Sequence, residues 1–500
     1  MFKVKQLCLD TLREHVIVIH ERTVREGHLG FNPLDRAYVF GVDAAGRHHE
    51  ITGVLNFCRD ELIGPDQIGL SEQAFADLGL PEGAEVNATL AVAPRSVDRI
   101  RAKLAGARFT RADFDAILAD VVHHRYSRVE LSMFVLACAL KTLDLDELVD
   151  YTLSMIHTGT SLEFGPGPIA DKHSVGGIPG NRTTLIVVPI LAANGVIVPK
   201  TSSRAITSPA GTADTMELFA EVALSPERLR RVVFEAGACI AWGGALQLAP
   251  ADDILITVER PMELDTEAQM IASILAKKKT VGATHVLIDV PVGPTAKVRS
   301  QGAADHLAML FNAVAERIGL RVEVDATHAN GPVGFGIGPR LEALDVLAVL
   351  RHEASAPADL REKSLYIAAR LLEMTGAAQP NTGYRAAERT LDSGLAMERF
   401  ERIVAAQGKK ELPSAARSIC EVRALSDGRI NEIDCWEIAR VAKRAGAPAN
   451  VAAGVRMLRA LGDVVAKGDP LAEIHAGTPE QLGFARAYAE SHPEIIKFGF

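Results

Sequence analysis

KTSSRAITSPAGTADTME, which runs from Lys200 to Glu217, is the stretch of this sequence that decides most about its fold. Its hydroxyl side chains and the backbone N–H groups between them make a donor-rich segment that suits an anion. The turn Ala210-Gly211-Thr212 precedes a helical pattern, so we predict a loop that opens into a helix N-terminus. A surface loop rich in serine and threonine, capped by Thr212, is the alternative interpretation.

A second loop, DKHSVGGIPGNRTT from Asp171 to Thr184, has related chemistry. Lys172 offers a point charge, and Gly176 and Gly177 permit a close approach of the backbone to a ligand. The apolar run 185–191 follows and is predicted to form a strand. Since one strand-and-helix unit separates the two loops, we expect both to converge at one sheet edge.

Size and charge exclude several classes of protein. A chain of 500 residues is expected to form several domains. Its net charge of -9 and its pI near 6.0 give no bulk attraction for nucleic acid, so any phosphate is held by a local site.

Charges interrupt the N-terminal apolar stretches, which predicts neither a secretory leader nor a membrane span. The cysteines are far apart, which is typical of reduced cytoplasmic thiols and predicts no disulfide framework and no metal site.

Patterns along the chain predict an α/β and α+β multidomain protein. Short apolar runs between turn signals indicate a β-rich start, and apolar spacings of three and four indicate helices after Arg95. Ser127 before Glu130 is typical of a capping box. The predicted domains are a β-rich segment 1–92, a helical subdomain 95–165 completed by helices near 214–235 and 266–280, an α/β domain 166–408, and a C-terminal α/β domain 414–500.

Together with LAPADD at 248–253 and SILAKK at 273–278, these loops resemble the thymidine and pyrimidine-nucleoside phosphorylase family. The pattern fits its longer branch, which includes archaeal AMP phosphorylases and bacterial type 2 thymidine phosphorylases. The resemblance implies a nucleoside phosphorylase/phosphoribosyltransferase-like fold, with the helical subdomain and α/β domain around a cleft and a hammerhead-like C-terminal domain. It also implies phosphorolysis without a cofactor, inorganic phosphate being the co-substrate, in a homodimer or larger homo-oligomer assembled partly through the N-terminal segment.

The resemblance also assigns site residues. Thymidine phosphorylases imply a phosphate site made of Lys172, Ser174, Thr184, Ser202 and Thr212. AMP phosphorylases and the base-contacting positions imply a nucleoside or nucleotide site made of Gly177, Ser203, Arg204, Ala205, Ile206, Thr207, Ser208, Thr212, Ser273, Lys277 and Lys297.

Two residues are candidates for the proton donor. His173 matches a base-contacting histidine of thymidine phosphorylases, and its alternative is a histidine that only packs the loop. Asp265 matches the general acid of AMP phosphorylases, and its alternative is an N-cap for the helix that follows.

The substrate remains open between thymidine and AMP at this point. Ser208-Pro209-Ala210-Gly211 stands where the shorter enzymes have His-Thr-Gly-Gly, which weakens a pocket for thymidine only. Lys172 is the lysine of thymidine phosphorylases and is absent from some AMP phosphorylases. Phosphoribosyl transfer would require magnesium and an acidic motif, for which only Asp214 and Glu217 are available. A nucleotide-binding regulator without catalysis is the remaining alternative.

Overall fold

The computed structural model describes residues 1–11, 14–27, 29–205, 208–264 and 266–499. The chain divides into two compact units, 1–159 with 249–276 and 160–248 with 277–500. Helices and strands occur in both, which confirms the predicted mixed class. Over the described ranges, no helix has the length and hydropathy needed to span a bilayer.

The first unit begins with a closed β-barrel, which agrees with the β-rich start predicted from the sequence. Its elements are β1 (Phe2–Gln6), β2 (Val16–His20), α1 (Glu21–Gly27), β3 (Arg36–Val42), β4 (His48–Cys58), β5 (Gln67–Leu70), α2 (Glu72–Leu78) and β6 (Glu85–Leu90). The strands pair in the order β1-β5-β2-β4-β3-β6. Ile17, Ile19 and Leu55 are fully buried in its interior, and closure leaves no strand edge exposed.

Helices complete the first unit: α3 (Ser96–Leu104), α4 (Arg111–Val122), α5 (Arg128–Leu140), α6 (Leu145–Thr158), and later in the chain Pro250–Met262 and the start of Glu267–Thr280. The rings of Phe114 and Phe134 pack on Tyr151 in their core. Ser127 and Glu130 form the predicted capping box at the start of α5, so local hydrogen bonds fix where that helix begins.

A parallel sheet organises the second unit. Its elements are β7 (Ala170–Ser174), α7 (Thr184–Ala193), β8 (Val198–Ser202), α8 (Thr212–Met216), α9 (Pro226–Ala236), β9 (Ala238–Trp242), the two helices already mentioned as α10 and α11, β10 (His285–Val292), α12 (Gln301–Arg317) and β11 (Arg321–His328). β7 pairs with β10, β10 with β11, and β8 with β9. A bridge between Ile169 and Ile197 connects the two sets, which gives the order β11-β10-β7-β8-β9.

The rest of the second unit is helical and then mixed. It contains β12 (Gly336–Ile337), α13 (Pro339–Leu350), α14 (Ala358–Met374), α15 (Gly383–Asp392), α16 (Leu395–Gln407), β13 (Ser418–Arg423), β14 (Gly428–Ile433), α17 (Cys435–Arg444), β15 (Gly454–Met457), β16 (Val464–Val465), β17 (Pro470–Ala476), α18 (Pro479–Ser491) and β18 (Ile496–Gly499). Its C-terminal strands form the sheets β12-β15-β17-β13 and β16-β14-β18.

Two local expectations differ from the structure. The apolar run 185–191, predicted as a strand, lies in helix α7, whose residues from Thr184 to Ala192 are all buried. A helix that is apolar on every side lacks the periodicity that separates it from a buried strand. The helix predicted near 214–235 as part of the helical subdomain is α9, which packs on β9 and α16 in the second unit because its apolar face, including Leu229 and Val233, is buried there.

Candidate active site

The candidate site lies where β7 and β10 end. The chain leaves β7 toward β8 on one side and leaves β10 toward β11 on the other, so the loops after these strands diverge. Ligands of parallel sheets bind at such a switch point, outside the carboxyl ends of the strands. The hydroxyl of Ser174 at the end of β7 donates to the Asp289 carboxylate of β10 at 3.0 Å, directly across this point.

The loop after β7 depends on its glycines. Gly176 and Gly177 have φ angles of 96° and 90°, a region that favours glycine. A Cβ added to Gly177 would lie 2.7 Å from the backbone nitrogen of Lys297. The absence of a side chain at Gly177 therefore lets this loop pack against the turn that carries Lys297.

Buried lysines surround Asp171 beneath this loop. The Asp171 carboxylate is fully buried and lies 2.8 Å from Nζ of Lys278 and 3.5 Å from Nζ of Lys200. Lys278 stands in the last turn of α11 and Lys200 on β8, and each is 4% exposed or less. Nothing in the local pattern around Lys200 or Lys278 distinguishes it from a surface lysine, and sequence reasoning assigned neither of them a role.

Lys172 is buried beside this group, and its Nζ donates to the hydroxyl of Thr183 at 2.7 Å. Burial, with Lys363 and Arg182 nearby, lowers the pKa of Lys172 to about 8 despite the opposing charge of Asp289. Burial lowers the pKa of Lys200 further, to about 7. In the ligand-free protein both ammonium groups are therefore held in an environment that disfavours their charge.

Asp289 binds further cationic and hydroxyl groups. Nζ of Lys363, on α14, lies 3.0 Å from its carboxylate, and the Thr327 hydroxyl donates to it at 2.7 Å. The charges of Lys363 and Lys172 lower the pKa of Asp289 against the opposing effect of burial, so this carboxylate is ionised. Asp289 accepts the hydrogen bond from Ser174 and so fixes that hydroxyl, and it offers no proton to a ligand.

Arg182 links the two predicted loops. Its Nε donates to buried Glu342 at 2.5 Å, its Nη1 to the Thr212 hydroxyl at 2.8 Å, and its Nη2 to the Ala210 carbonyl at 3.1 Å. Since the Thr212 oxygen accepts from Arg182, its hydroxyl hydrogen remains available to an anion. Arg182 is a residue that sequence reasoning missed, because its partner Glu342 lies 160 residues further along the chain.

The buried charges at this switch point do not balance. Five cations lie here: Lys172, Lys200, Lys278 and Arg182, each no more than 9% exposed, and Lys363, whose side chain is 13% exposed. The buried carboxylates that face this group are Asp171, Asp289 and Glu342. Cations thus exceed carboxylates by two charges when every group is ionised, which matches a bound dianion such as phosphate.

His173 lies between Lys172 and Ser174 and is half-buried. Burial, and the charges of Lys278, Lys200, Lys172 and Lys277, lower its pKa well below the usual value of histidine. The ring is therefore neutral near pH 7. It can donate one N–H hydrogen bond to a ligand, but it is not a charged acid there.

The second predicted loop is closed by Asp214. The Asp214 carboxylate accepts hydrogen bonds from the backbone nitrogens of Ala205 at 2.6 Å and Gly211 at 2.8 Å. The Arg204 guanidinium lies 3.2 Å from Asp214 and 2.5 Å from Glu217, and it stacks on the Trp242 ring. Both carboxylates of the suggested magnesium motif are thus bound to an arginine, which makes them poor metal ligands.

The remaining predicted residues are distributed as follows. Ser202 ends β8, and its hydroxyl lies 3.4 Å from the Ala241 carbonyl, to which it donates. Ser208 donates to the Ala210 carbonyl at 2.8 Å. Thr184 is buried in the first turn of α7, Ser203 accepts a backbone hydrogen bond from Ala213, and Lys277 is half-buried in the last turn of α11. Ser273 is half-buried on α11 in the first unit, and Ile206, Thr207 and Asp265 lie outside the described residues.

The lysine pKa values predict how anion binding depends on pH. A dianion favours the charged ammonium, so its affinity is retained below the lysine pKa and lost as the pH rises through it. Sulfate is the better probe because, unlike phosphate, it keeps its charge throughout this range. We expect its dissociation constant to rise about tenfold per pH unit above about pH 7, where Lys200 loses its proton, and more steeply above about pH 8, where Lys172 also loses its proton.

Calorimetric titration with sulfate between pH 6.5 and 9.5 measures this effect. Lys172→Met should bind sulfate weakly and show a smaller slope above pH 8, because only Lys200 then titrates. Lys279→Met is the control, since its ammonium is exposed and donates to the Gly319 carbonyl, and it should keep the wild-type slope. A sulfate affinity that is independent of pH in the wild type contradicts the assignment.

Comparison with known proteins agrees with this geometry. Residues 166–397 match the family described as the glycosyl transferase family a/b domain, and residues 429–495 match the pyrimidine nucleoside phosphorylase C-terminal domain. A protein of Polaromonas sp. is 47% identical over 99% of this chain and 96% of its own length, and one of Methylococcus capsulatus is 45% identical over 98% and 94%. Both carry the name "Putative thymidine phosphorylase".

Solved structures of lower identity share the fold. Anthranilate phosphoribosyltransferase from Thermus thermophilus superposes with a TM-score of 0.53 at 20% identity, over 62% of this chain and 99% of that one. The enzyme from Saccharomyces cerevisiae gives 0.51 at 13% identity, over 62% and 97%. These relatives match over nearly their full length, and two segments of the chain match family models. The chain therefore belongs to the thymidine and pyrimidine-nucleoside phosphorylase family of pentosyltransferases.

Proposed function

We propose that this protein catalyses the phosphorolysis of thymidine to thymine and 2-deoxyribose 1-phosphate. The observation that carries the proposal is the excess of two buried positive charges around Lys172, Lys200 and Arg182. This excess suits one phosphate dianion. A neutral nucleoside adds no further charge to the site, so thymidine and phosphate together fit it.

In this reaction a phosphate oxygen forms a bond to C1′ of the sugar while the bond from C1′ to the base breaks. Lys172 and the hydroxyl of Thr212, which Arg182 holds by its oxygen, position and neutralise the phosphate. The neutral ring of His173 donates a hydrogen bond toward the base, which leaves with the electron pair of the broken bond. A pyrimidine departs as a weakly basic anion, so hydrogen-bond donors suffice.

A specific feature favours AMP as a second candidate substrate. Gly177 and Lys297, two positions assigned from AMP phosphorylases, lie against each other, as the 2.7 Å approach at Gly177 indicates. The assignment from AMP phosphorylases also places Arg204 at the 5′-phosphate of AMP. In the structure Arg204 is paired with Asp214 and Glu217, which leaves little of its charge for a second phosphate. For this reason we rank thymidine first.

Release of free base from thymidine, uridine, AMP and CMP, with and without phosphate, tests both candidates. We expect phosphate-dependent release from thymidine and little from either 5′-monophosphate. Turnover of AMP or CMP without turnover of thymidine would replace the proposal by the AMP reaction. Base release that never requires phosphate would overturn phosphorolysis itself.

Asp265→Asn, assayed with the same four substrates, separates the two candidate reactions. A pyrimidine needs no strong acid, so thymidine turnover should fall only a few-fold. Adenine leaves well only when protonated, so AMP turnover should fall about 100-fold or more if Asp265 is its general acid.

A further inference from the structure

Asn181 lies among the residues of the candidate phosphate site and carries a buried oxygen without a hydrogen-bond donor. The residue is 9% exposed, and its Oδ1 has no partner within the part of the chain that the structure describes. Arg182, the next residue, donates to the Thr212 hydroxyl. Thr183, the one after it, accepts from Lys172. A buried carbonyl oxygen that lacks a donor costs free energy, so a native site that keeps one is expected to use it.

The hydrogen bond of Ser174 determines which end of the Asn181 amide is unpaired. The Asp289 carboxylate is ionised and can only accept, so Ser174 gives it its single hydroxyl hydrogen at 3.0 Å. The Ser174 oxygen is therefore an acceptor, and Nδ2 of Asn181 faces it at 3.5 Å. Since only the nitrogen end of the amide suits an acceptor, Oδ1 is the end left without a partner.

The backbone of Asn181 is held in a conformation that favours glycine. Gly180 and Asn181 have φ angles of 72° and 54°, and the backbone nitrogen of Asn181 donates to the Val333 carbonyl at 2.9 Å. The 3.5 Å contact with Ser174 is long for a hydrogen bond, so the amide adds little to the fold. Asparagine thus brings an amide to this position at a conformational cost that glycine would avoid, which favours a role toward a ligand.

The other groups that this site offers to an anion are hydrogen donors. They include the Lys172 ammonium and the free hydrogen of the Thr212 hydroxyl. The buried carboxylates nearby already face cationic or hydroxyl groups: Asp171, Asp289 and Glu342. Over the ranges that the structure describes, Oδ1 of Asn181 is thus the neutral side-chain acceptor of this group that lacks a donor. Several donors and one acceptor match the monohydrogen phosphate dianion, which has three bare oxygens and one hydroxyl group.

We propose that Oδ1 of Asn181 accepts the hydrogen bond of the hydroxyl group of bound monohydrogen phosphate and so selects phosphate against sulfate. The inference rests on the proposed function, because phosphorolysis makes phosphate the co-substrate. Sulfate has the same charge and shape but no hydrogen. Its binding would place a bare oxygen against Oδ1 and leave that carbonyl unpaired, and sites built to bind a hydroxyl group reject analogues that lack it for this reason.

Open space adjoins the loop between Ser174 and Asn181. A Cβ built on Gly176 would meet no atom within 4 Å, and the side chain of Ser174 is half-buried. Oδ1 of Asn181 is shielded from water in the ligand-free chain, so phosphate reaches it through a small displacement of this loop. Because Oδ1 has no bond to water to lose, the hydrogen bond from phosphate is a net gain.

Calorimetric titration of the full chain at pH 8 with phosphate, arsenate and sulfate measures the selection. All three are dianions there, and only phosphate and arsenate carry a hydroxyl group. We expect the wild type to bind phosphate and arsenate at least about tenfold more tightly than sulfate. Asn181→Gly removes the amide and suits the positive φ, so it should bring the affinities for phosphate and sulfate to within about threefold of each other.

Two further variants separate the acceptor from general effects on the fold. Asn181→Asp keeps an oxygen acceptor and adds a negative charge, so it should weaken both ions but retain the preference for phosphate. Asn381→Gly is the control, because Asn381 is an exposed asparagine with a φ of 63° outside the site. It should keep the wild-type ratio of affinities. Without anions, Asn181→Gly should melt close to the wild-type temperature.

Equal affinities of the wild type for phosphate and sulfate would overturn the inference and leave the proposed function standing. A preference for phosphate that Asn181→Gly retains in full would overturn it equally. If the wild type bound neither ion, the phosphate site of the proposed function would fail together with the inference. Base release from the four substrates judges phosphorolysis independently of these affinities.

Discussion

Replacing Lys172 by methionine is expected to lower kcat/KM for phosphate about 10- to 150-fold, which corresponds to the loss of one charge-assisted contact of about 1.5–3 kcal/mol. Lys172 is buried in the middle of β7, and its ammonium lies 2.7 Å from the Thr183 hydroxyl. Methionine has a similar length but no charge. Initial rates at varied phosphate and fixed, saturating nucleoside measure the effect.

Stability separates this effect from misfolding. Burial lowers the pKa of Lys172 to about 8, so the fold disfavours its charged form. The unfolded chain binds this proton more tightly, and the lysine therefore weakens the fold at pH 7. Lys172→Met should melt at or above the wild-type temperature in buffer without phosphate and should gain less from added phosphate.

Lys467→Met is the control for Lys172→Met, since Lys467 is an exposed lysine of the C-terminal segment. It should leave both the phosphate kinetics and the melting temperature unchanged. If Lys172→Met kept the wild-type dependence on phosphate, the phosphate site would lie elsewhere in the chain.

The second large effect is expected for Arg182→Met, which should lower the free energy of unfolding by about 3–5 kcal/mol, as for other buried pairs that lose one partner. The change leaves Glu342, which is 1% exposed, without its guanidinium. It also removes the hydrogen bonds that hold the Thr212 hydroxyl and the Ala210 carbonyl. Phosphate KM should therefore rise as well in the fraction that remains folded.

Urea denaturation followed by circular dichroism measures the loss of stability in Arg182→Met. Arg486→Met is the matched control, because Arg486 pairs with Glu490 at 2.7 Å on the surface of α18 with both side chains 62% exposed. Exposed pairs contribute at most about 1 kcal/mol. Equal losses in the two variants would contradict the role assigned to Arg182.

The Arg182–Glu342 pair also predicts that a second substitution restores part of the lost stability. Burial raises the pKa of Glu342 even with Arg182 present, so an unpaired Glu342 takes up a proton more readily still. Adding Glu342→Gln to Arg182→Met removes the uncompensated buried charge. The double variant should recover part of the lost stability but not the phosphate KM, because Thr212 still lacks its donor.

Much of the fold follows from local sequence signals. Short apolar runs between turn residues predicted the β-rich start, which forms the closed barrel β1 to β6. Ser127 and Glu130 predicted a helix start that the structure confirms. These signals are reliable because strand alternation and helix capping depend on residues only a few positions apart.

Residues at the ends of neighbouring strands were also predictable as neighbours. Lys172 lies within β7, Ser174 ends β7, and Ser202 ends β8, as the two loops in sequence suggested. Parallel strands connected by one helix carry their following loops to the same edge of the sheet. The sequence by itself thus determined the mixed fold, the family and the sheet edge at which we propose that an anion binds.

Only the tertiary structure decided which charges are buried there. The sequence does not distinguish Lys200, Lys278 and Lys363 from solvated lysines, yet all three are buried or nearly so against Asp171 and Asp289. The run 185–191 could not be distinguished from a strand for a related reason, since all of its residues are buried and it has no polar face to show the helical period. Burial and long-range pairing depend on the packing of segments far apart in the chain, and no short pattern encodes them.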